Sequence, residues 1–432
     1  MNMVPHPLLF NPLSKDYLWG GSRIPALYSR PGAPARCAES WEIAAHTDGD
    51  TTVLHGPLAG RTLSDLTALY GAALVGTRAP DPLRFPLLFK LIDAHEKLSV
   101  QVHPSNANAE RTNGEPKTEM WYLLDPTMEF RTSGLQNVRT SELQNVRTSE
   151  LQNVRTSELQ NVRTSELQNV RTSDLQNFRT SELQNFRTSE LQNVRTSELQ
   201  NFGTSGLQNV RTSELQNVRT SGLQNVRTSE LQNFRTSPPS LYAGFRPGIT
   251  PDALRAALGD NTVGQCLAEL RAAPGGALFI PGGLVHAIGE GCLIYEVQQN
   301  SNTTYRLYDW DRLGAQGKPR RLHIEQSFQS IDWTLPPPVV TLPTETRKTA
   351  GATWSDIVSC DYFKVRKLAL SGKETIPVDG TTFHALFVER GDAAVEAGDV
   401  RYALPPGTSC LIPASALRYT LTGNATLLVT TL

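Results

Sequence analysis

From Arg131 to Phe234 a single octapeptide, RTSELQNV, recurs in thirteen copies and is followed by a partial RTS. No other stretch of this 432-residue chain restricts the available folds so severely. On a straight helix eight residues turn through about 800°, so each copy is rotated roughly 80° from the last and no apolar face persists. On a strand the Leu and Val of each octad have opposite parity, so each face receives one apolar residue per copy. That is too little burial to offset the entropy of ordering. The segment is therefore expected to be disordered or loosely ordered, with a solenoid-like arm of one octad per rung as the alternative. Its Arg, Thr, Ser and Glu side chains read as solvated and offer no chemical site.

Without the repeat, WYLLDP (121–126) joins PPSLYAGFRPGIT (238–250) as a strand, a Pro-bearing turn and a strand. The insertion, residues 127–237, thus falls at a β-turn, where added chain is tolerated best. It leaves a host of 321 residues, enough for a sizeable core.

Forty-one basic and forty-two acidic residues nearly cancel, which argues against nucleic acid or an anionic membrane as partner. The five cysteines are scattered and lack CxxC spacing, so a reducing cytoplasm is expected rather than a disulfide framework. No secretory leader is expected from MNMVPHPLLFNP, and no apolar run reaches the length of a membrane span.

Gly- and Pro-punctuated apolar runs predict a mainly β host with a few short helices. One helix is expected in TLSDLTALYGAALVG, capped by Thr62 with Asp65 at its third position. A second is expected over TPDALRAALGDNTVGQCLAELRAA, with Thr250 as cap and Pro251 first. The Pro-rich stretch 332–346 reads as a linker to a strand-rich C-terminal module.

The chemistry sits in three separated pieces. In LSVQVHP alternation places Ser99, Gln101 and His103 on one strand face, with Gln101 and His103 near enough to grip one ion. In KTEMWYLL, Glu119 shares a face with Trp121 and Leu123, with Lys117 beside it. GGALFIPGGLVHAIGEG fits G-x5-P-x-G-x2-H from Gly275 to His286. That spacing resembles the second signature of the cupin β-barrel, in which a tight turn aims a histidine inward. The bland alternatives are a water-facing strand side, an ion-paired Glu and a satisfied core His. Taken together, two imidazoles, a carboxylate and an amide oxygen suit a borderline divalent ion, zinc first, with iron, manganese or cobalt also compatible. A fourth stretch, YEVQQNSNTTYRLYDWDR, carries Glu296 and Arg306. Alternation puts Arg306 on one face with Thr304 and Tyr308, where a guanidinium suits an oxyanion.

These blocks, with LLFKLIDAHEKLSVQVHP, GEPKTEMWYLLD, AGFRPGIT, DYLWGGSRI and AESWEIAAH, resemble the type I mannose-6-phosphate isomerases in their short bacterial form. The resemblance runs in order through nearly all of the host. It implies two cupin barrels: a catalytic one from residues 1–126 and 238–335, and a degenerate one over 336–432. It further implies one Zn2+ at Gln101, His103, Glu119 and His286, and interconversion of mannose 6-phosphate and fructose 6-phosphate. Arg306, Lys117 and Glu296 are its implied catalytic candidates, and Lys90 and Ser99 would meet the small sugar-phosphate substrate. In GTSCLIPASALR the G-x5-P frame recurs from Gly407 to Pro413, but Arg418 stands where the first barrel has its histidine, and His384 lacks partner ligands.

Two other readings remain open. One is a sugar-phosphate-binding cupin without turnover, its repeat serving as an arm for an unidentified protein partner. The other is an iron oxygenase built on the two His and one carboxylate. Excising residues 127–237 is expected to leave isomerase turnover within about a few-fold, as insertions at turns allow. A large rise on excision, read in a coupled assay, would show instead that the repeat cripples the host.

Overall fold

The computed structural model describes residues 6–28, 34–125, 240–313 and 317–432, and between 135 and 228 the backbone of a series of short strands. The chain divides into two compact units, residues 1–128 with 238–432, and residues 129–237.

In the first unit strands dominate. One sheet runs, in spatial order, Leu13–Lys15, Glu39–Ile43, Leu87–Asp93, Leu293–Gln299, Glu119–Leu123 and Ala277–Ile280. A second runs Leu267–Arg271, Ser240–Phe245, His286–Ile288, Val100–Val102 and Tyr305–Tyr308. Trp121, Leu278 and Ile294 of the one pack against Leu241, Ala243 and Ile288 of the other. Each buried Leu or Ile among them contributes roughly 1.5–3 kcal/mol. The two sheets form the first barrel, and it has polar side chains at one end, where the alternation of Ser99, Gln101 and His103 points.

The second barrel is built on three fourteen-residue strands, Lys364–Pro377, His384–Ala397 and Arg418–Thr431. The segment expected to belong to the catalytic barrel does so only in part. Strand Leu8–Asn11 pairs with Ser409–Ile412 of the second barrel through Leu8↔Leu411 and Leu9↔Cys410, and with Thr52–Val53 through Phe10↔Val53. It ties the barrels together because both faces of Leu8–Leu9–Phe10 are apolar and both find a core.

Three local expectations change. The first helix breaks at Gly71 (φ 50, ψ −129) into Leu63–Tyr70 and Ala72–Val75, while the Thr62 hydroxyl accepts from the Asp65 amide at 3.1 Å. The second, capped by Thr250, ends at Gly259. Leu267–Arg271 is not its continuation but a strand paired with Ser240–Phe245. Cross-strand partners there override a helical propensity that is only a weak prior. The strands flanking the insertion, Glu119–Leu123 and Ser240–Phe245, belong to different sheets, so the join is not a hairpin.

In the other unit, successive strands alternate between two parallel sheets, each pairing with the strand sixteen residues on, as in Leu151↔Leu167 and Leu167↔Leu183. The pairing period is thus two octads, not one. A single octad supplies one strand pass, and two passes are needed to bring the chain back to the same sheet.

Within the first unit the outward side of the Glu119 strand is packed on the second barrel. The Lys367 ammonium donates to the Tyr122 hydroxyl at 2.6 Å, and that hydroxyl donates to Glu389 at 3.2 Å. Lys367 lies 3.3 Å from Glu389, which is buried. The Tyr295 and Phe387 rings stack at 4.5 Å across the same seam. Lys367→Met is expected to lower stability by about 3 kcal/mol, because it strands a buried carboxylate. Pairing it with Glu389→Gln should recover part of that loss in urea melts. An unchanged midpoint for the single variant would show that the ion pair does not hold the seam.

Candidate metal centre

Strand register brings the separated pieces together. Gln101 is paired with His286 on one side and with Arg306 on the other. Glu119 is paired with Ile280, at the entry to the Gly/Pro turn, and with Gln298. Gly283, at φ 95, closes the turn that aims His286 inward, a conformation glycine adopts without strain.

At the centre His103, Glu119 and His286 are all buried, and one ligand atom from each lies within 4.8 Å of the others. His103 Nε2 is 3.5 Å from Glu119 Oε2, and His286 Nε2 is 3.5 Å from Glu119 Oε1. Each ring is oriented through its other nitrogen. His103 Nδ1 is 2.8 Å from the Thr303 carbonyl and His286 Nδ1 is 2.8 Å from the Leu284 carbonyl. A carbonyl fixes Nδ1 as the protonated nitrogen, leaving both Nε2 lone pairs turned to Glu119. The Gln101 amide lies 3.3 Å from His286 Nε2, and the Ser99 hydroxyl lies 3.4 Å from its other end. A half-turn of that amide exchanges oxygen for nitrogen, so it can offer an oxygen at the same place.

The electrostatics are those of a ligand set. Burial, then the Lys117 charge, holds His103 down to about 3. Burial likewise lowers His286. Burial pushes Glu119 up, but Lys117 and His103 outweigh it and keep the carboxyl well below its ordinary range. The centre therefore presents two neutral imidazoles around one carboxylate. Both Glu119 oxygens are buried without a hydrogen bond of good geometry, although Lys117 Nζ stands 2.6 Å from Oε2. A buried carboxylate so poorly satisfied is costly unless a cation completes it. The donors present fit a borderline divalent ion.

Beneath this centre lies a second charged layer. Glu296 is raised by burial and then by Glu119. Its Oε2 accepts from the Trp121 indole at 3.0 Å, while its buried Oε1 has no hydrogen bond. Lys117 Nζ is 4.0 Å from Glu296 Oε1 and 3.1 Å from His103 Nε2. Lys90, read above as a phosphate partner, is buried between Glu296 at 3.4 Å and Glu39 at 3.6 Å. Burial pulls its pKa down, but those two carboxylates more than offset it and the net shift is upward. Lys90 is thus engaged with two carboxylates of this layer. Glu39 and the Trp121 indole carried no sequence signal for this role, because alternation does not say which acid of a strand is paired.

Arg306 is half-buried on the strand beside Gln101. Its Nη1 donates to the Arg321 carbonyl at 2.8 Å, and its buried Nε has no partner. It does not share a face with Tyr308. The register shifts between them, pairing Tyr308 with Val100 and placing it in the apolar cluster.

The chain matches the family Phosphomannose isomerase type I, catalytic domain, over residues 8–125, and Mannose-6-phosphate isomerase, cupin domain, over residues 354–432. It is 28% identical to the mannose-6-phosphate isomerase ManA of Bacillus subtilis over 430 residues, covering 99% of each chain. It is 24% identical to a mannose-6-phosphate isomerase of Streptococcus mutans, covering 95% of this chain and 93% of that one. In fold it resembles the crystal structure of the mannose 6-phosphate isomerase from Bacillus subtilis, with a TM-score of 0.67 at 22% identity, covering 98% and 99% of the two chains. His286→Ala is expected to leave the circular dichroism spectrum intact while metal content, measured by mass spectrometry, falls towards none. Undiminished metal in that variant would remove His286 from the centre.

Proposed function

Because this chain belongs to the type I phosphomannose isomerases, we propose that it interconverts mannose 6-phosphate and fructose 6-phosphate at one Zn2+ per chain, held by Gln101, His103, Glu119 and His286. The observation that carries this reading is the buried Glu119 carboxylate facing two carbonyl-oriented imidazoles, with the Gln101 amide beside them. When bound, the ion supplies Lewis-acid polarisation of the adjacent substrate oxygens.

The reaction moves one proton between C1 and C2 of an open-chain sugar, through a cis-enediol. Glu296 is the group we assign to that carbon-bound proton. Its pKa is raised above the ordinary carboxylate range and one of its oxygens is uncommitted, as suits a general base that must later return the proton. Lys90 fixes the charge behind it, and the Trp121 indole fixes its orientation. Lys117 stands between the Glu119 and Glu296 carboxylates, where its ammonium can donate to an oxygen that gains charge as the carbon proton leaves. Arg306, with an uncommitted Nε, is placed to meet an anionic part of the substrate. Ser99 steadies the Gln101 amide and so acts on the substrate only through it.

The scattered spacing of the five cysteines is the ground on which we propose a reducing compartment such as the cytoplasm. Among the described residues no helix is long and apolar enough to cross a membrane.

The test is a coupled assay on mannose 6-phosphate with and without chelator, in which zinc restores what the chelator removes. Glu296→Gln is expected to lower kcat by roughly 10²–10⁴-fold with metal content unchanged, the usual cost of losing a general base. A Glu296→Gln enzyme that turns over normally, beside an inactive Lys117→Met, would move the proton transfer to the lysine.

A further inference from the structure

The second barrel repeats the first in register, and the comparison exposes an unpaired cation. In the first barrel Glu119 pairs with Ile280, the residue before Pro281, and in the second His384 pairs with Ile412, the residue before Pro413. His384 therefore holds the position of Glu119. Two residues further along the same rows, Lys90 pairs with Glu296, which pairs with Trp121. The matching row of the second barrel is Arg366, Val429 and Leu386. An arginine thus stands where the first barrel has Lys90, and a valine where it has the carboxylate that neutralises that lysine.

The surroundings of Arg366 leave its charge uncompensated. Its guanidinium lies over the Trp354 ring at 4.5 Å, and the Trp354 indole is fixed by a 3.2 Å hydrogen bond to buried Glu374. Glu374 itself is engaged by Thr349 at 2.8 Å and Arg347 at 3.4 Å. Cross-strand Asp356 is taken by Lys364 at 2.7 Å. Arg366 Nε is buried without a hydrogen bond, and among the described residues Arg366 forms no ion pair. His384, 7% exposed, has Nδ1 3.0 Å from the Tyr419 hydroxyl, and in the tautomer that accepts that hydroxyl its Nε2 carries the proton and can donate. Burial, followed by the Arg366 charge, holds His384 down to about 4, so at neutral pH it adds a donor and no charge.

We propose that this end of the second barrel binds a phosphate-bearing anion, gripped by the Arg366 guanidinium with the His384 imidazole as second donor. A planar fork of N–H groups seated on an indole is pre-organised for a tetrahedral oxyanion. With Val429 in the position of Glu296, Arg366 lacks the cross-strand carboxylate that Lys90 has in the first barrel.

The test is calorimetric titration of the zinc-loaded full chain with inorganic phosphate, beside Arg366→Met. The variant should bind one phosphate fewer per chain while isomerase turnover stays within about two-fold, as expected for independent sites. His384→Gln, a gentler change, should weaken the same site several-fold. Equal stoichiometry and affinity in wild type and both variants would overturn the proposal. So would a wild type whose bound phosphate is all displaced from the metal barrel. A parallel titration of the zinc-loaded full chain with fructose 6-phosphate, wild type beside Arg366→Met, separates the sources: a second binding event tighter than that of phosphate and lost with Arg366 marks a sugar phosphate, whereas equal binding marks the free anion.

Discussion

A buried carboxylate matched in its own chain by a single lysine governs the first barrel. Glu119 is fully enclosed, its two oxygens lack well-formed hydrogen bonds, and it faces imidazoles that burial keeps neutral. Such an arrangement costs several kcal/mol in an apo protein. Lys117, at 2.6 Å, relieves part of it by acting as a counter-ion. The surrounding structure follows from that constraint. Thr303 and Leu284 offer carbonyls that hold the rings, Trp121 closes the wall, and the Lys90–Glu296 layer sets the charge below. A divalent ion here would be held by His103, Glu119 and His286, and it would take over from Lys117 the neutralisation of the carboxylate and the His103 Nε2 lone pair.

That cage rests on a strand whose other side is held by the second barrel. Glu119 points inward, while Tyr122 of the same strand points outward to Lys367 and Glu389. The N-terminal strand, shared between barrels, reinforces the seam. The packing of the C-terminal barrel on that strand therefore helps to fix where Glu119 stands.

Much of the centre was legible because period-two alternation and a fixed Gly/Pro spacing are local rules. Gln101 and His103 share a face by parity, and His286 follows from a turn that needs Gly283 at positive φ. Register across sheets is not local. Nothing in YRLYDW announces the bulge that sends Tyr308 away from Arg306, and nothing in LAELR announces that Ser240–Phe245 waits to pair with it. The partners of Lys90 were not legible for the same reason: nothing in LLFKLID announces Glu39 and Glu296 on either side of it. The repeat's sixteen-residue pairing period likewise depends on closure of a coil, which a single octad cannot encode.

The two barrels share a frame and differ in what completes it. In the first, His286 falls five residues after Pro281 and points inward. In the second, Arg418 falls five after Pro413 and is exposed, so the inward position passes to Tyr419, which ties up His384. With a hydroxyl in place of a ligand and Val429 in place of an acid, the row lacks the buried carboxylate of the first barrel, and the nearest acid acting on His384 is the exposed Asp379. The row keeps only the guanidinium. A fold that places four inward positions at one barrel end thus selects the sign of its ligand through one side chain per row. Divergence from metal centre to anion site then requires no change of backbone.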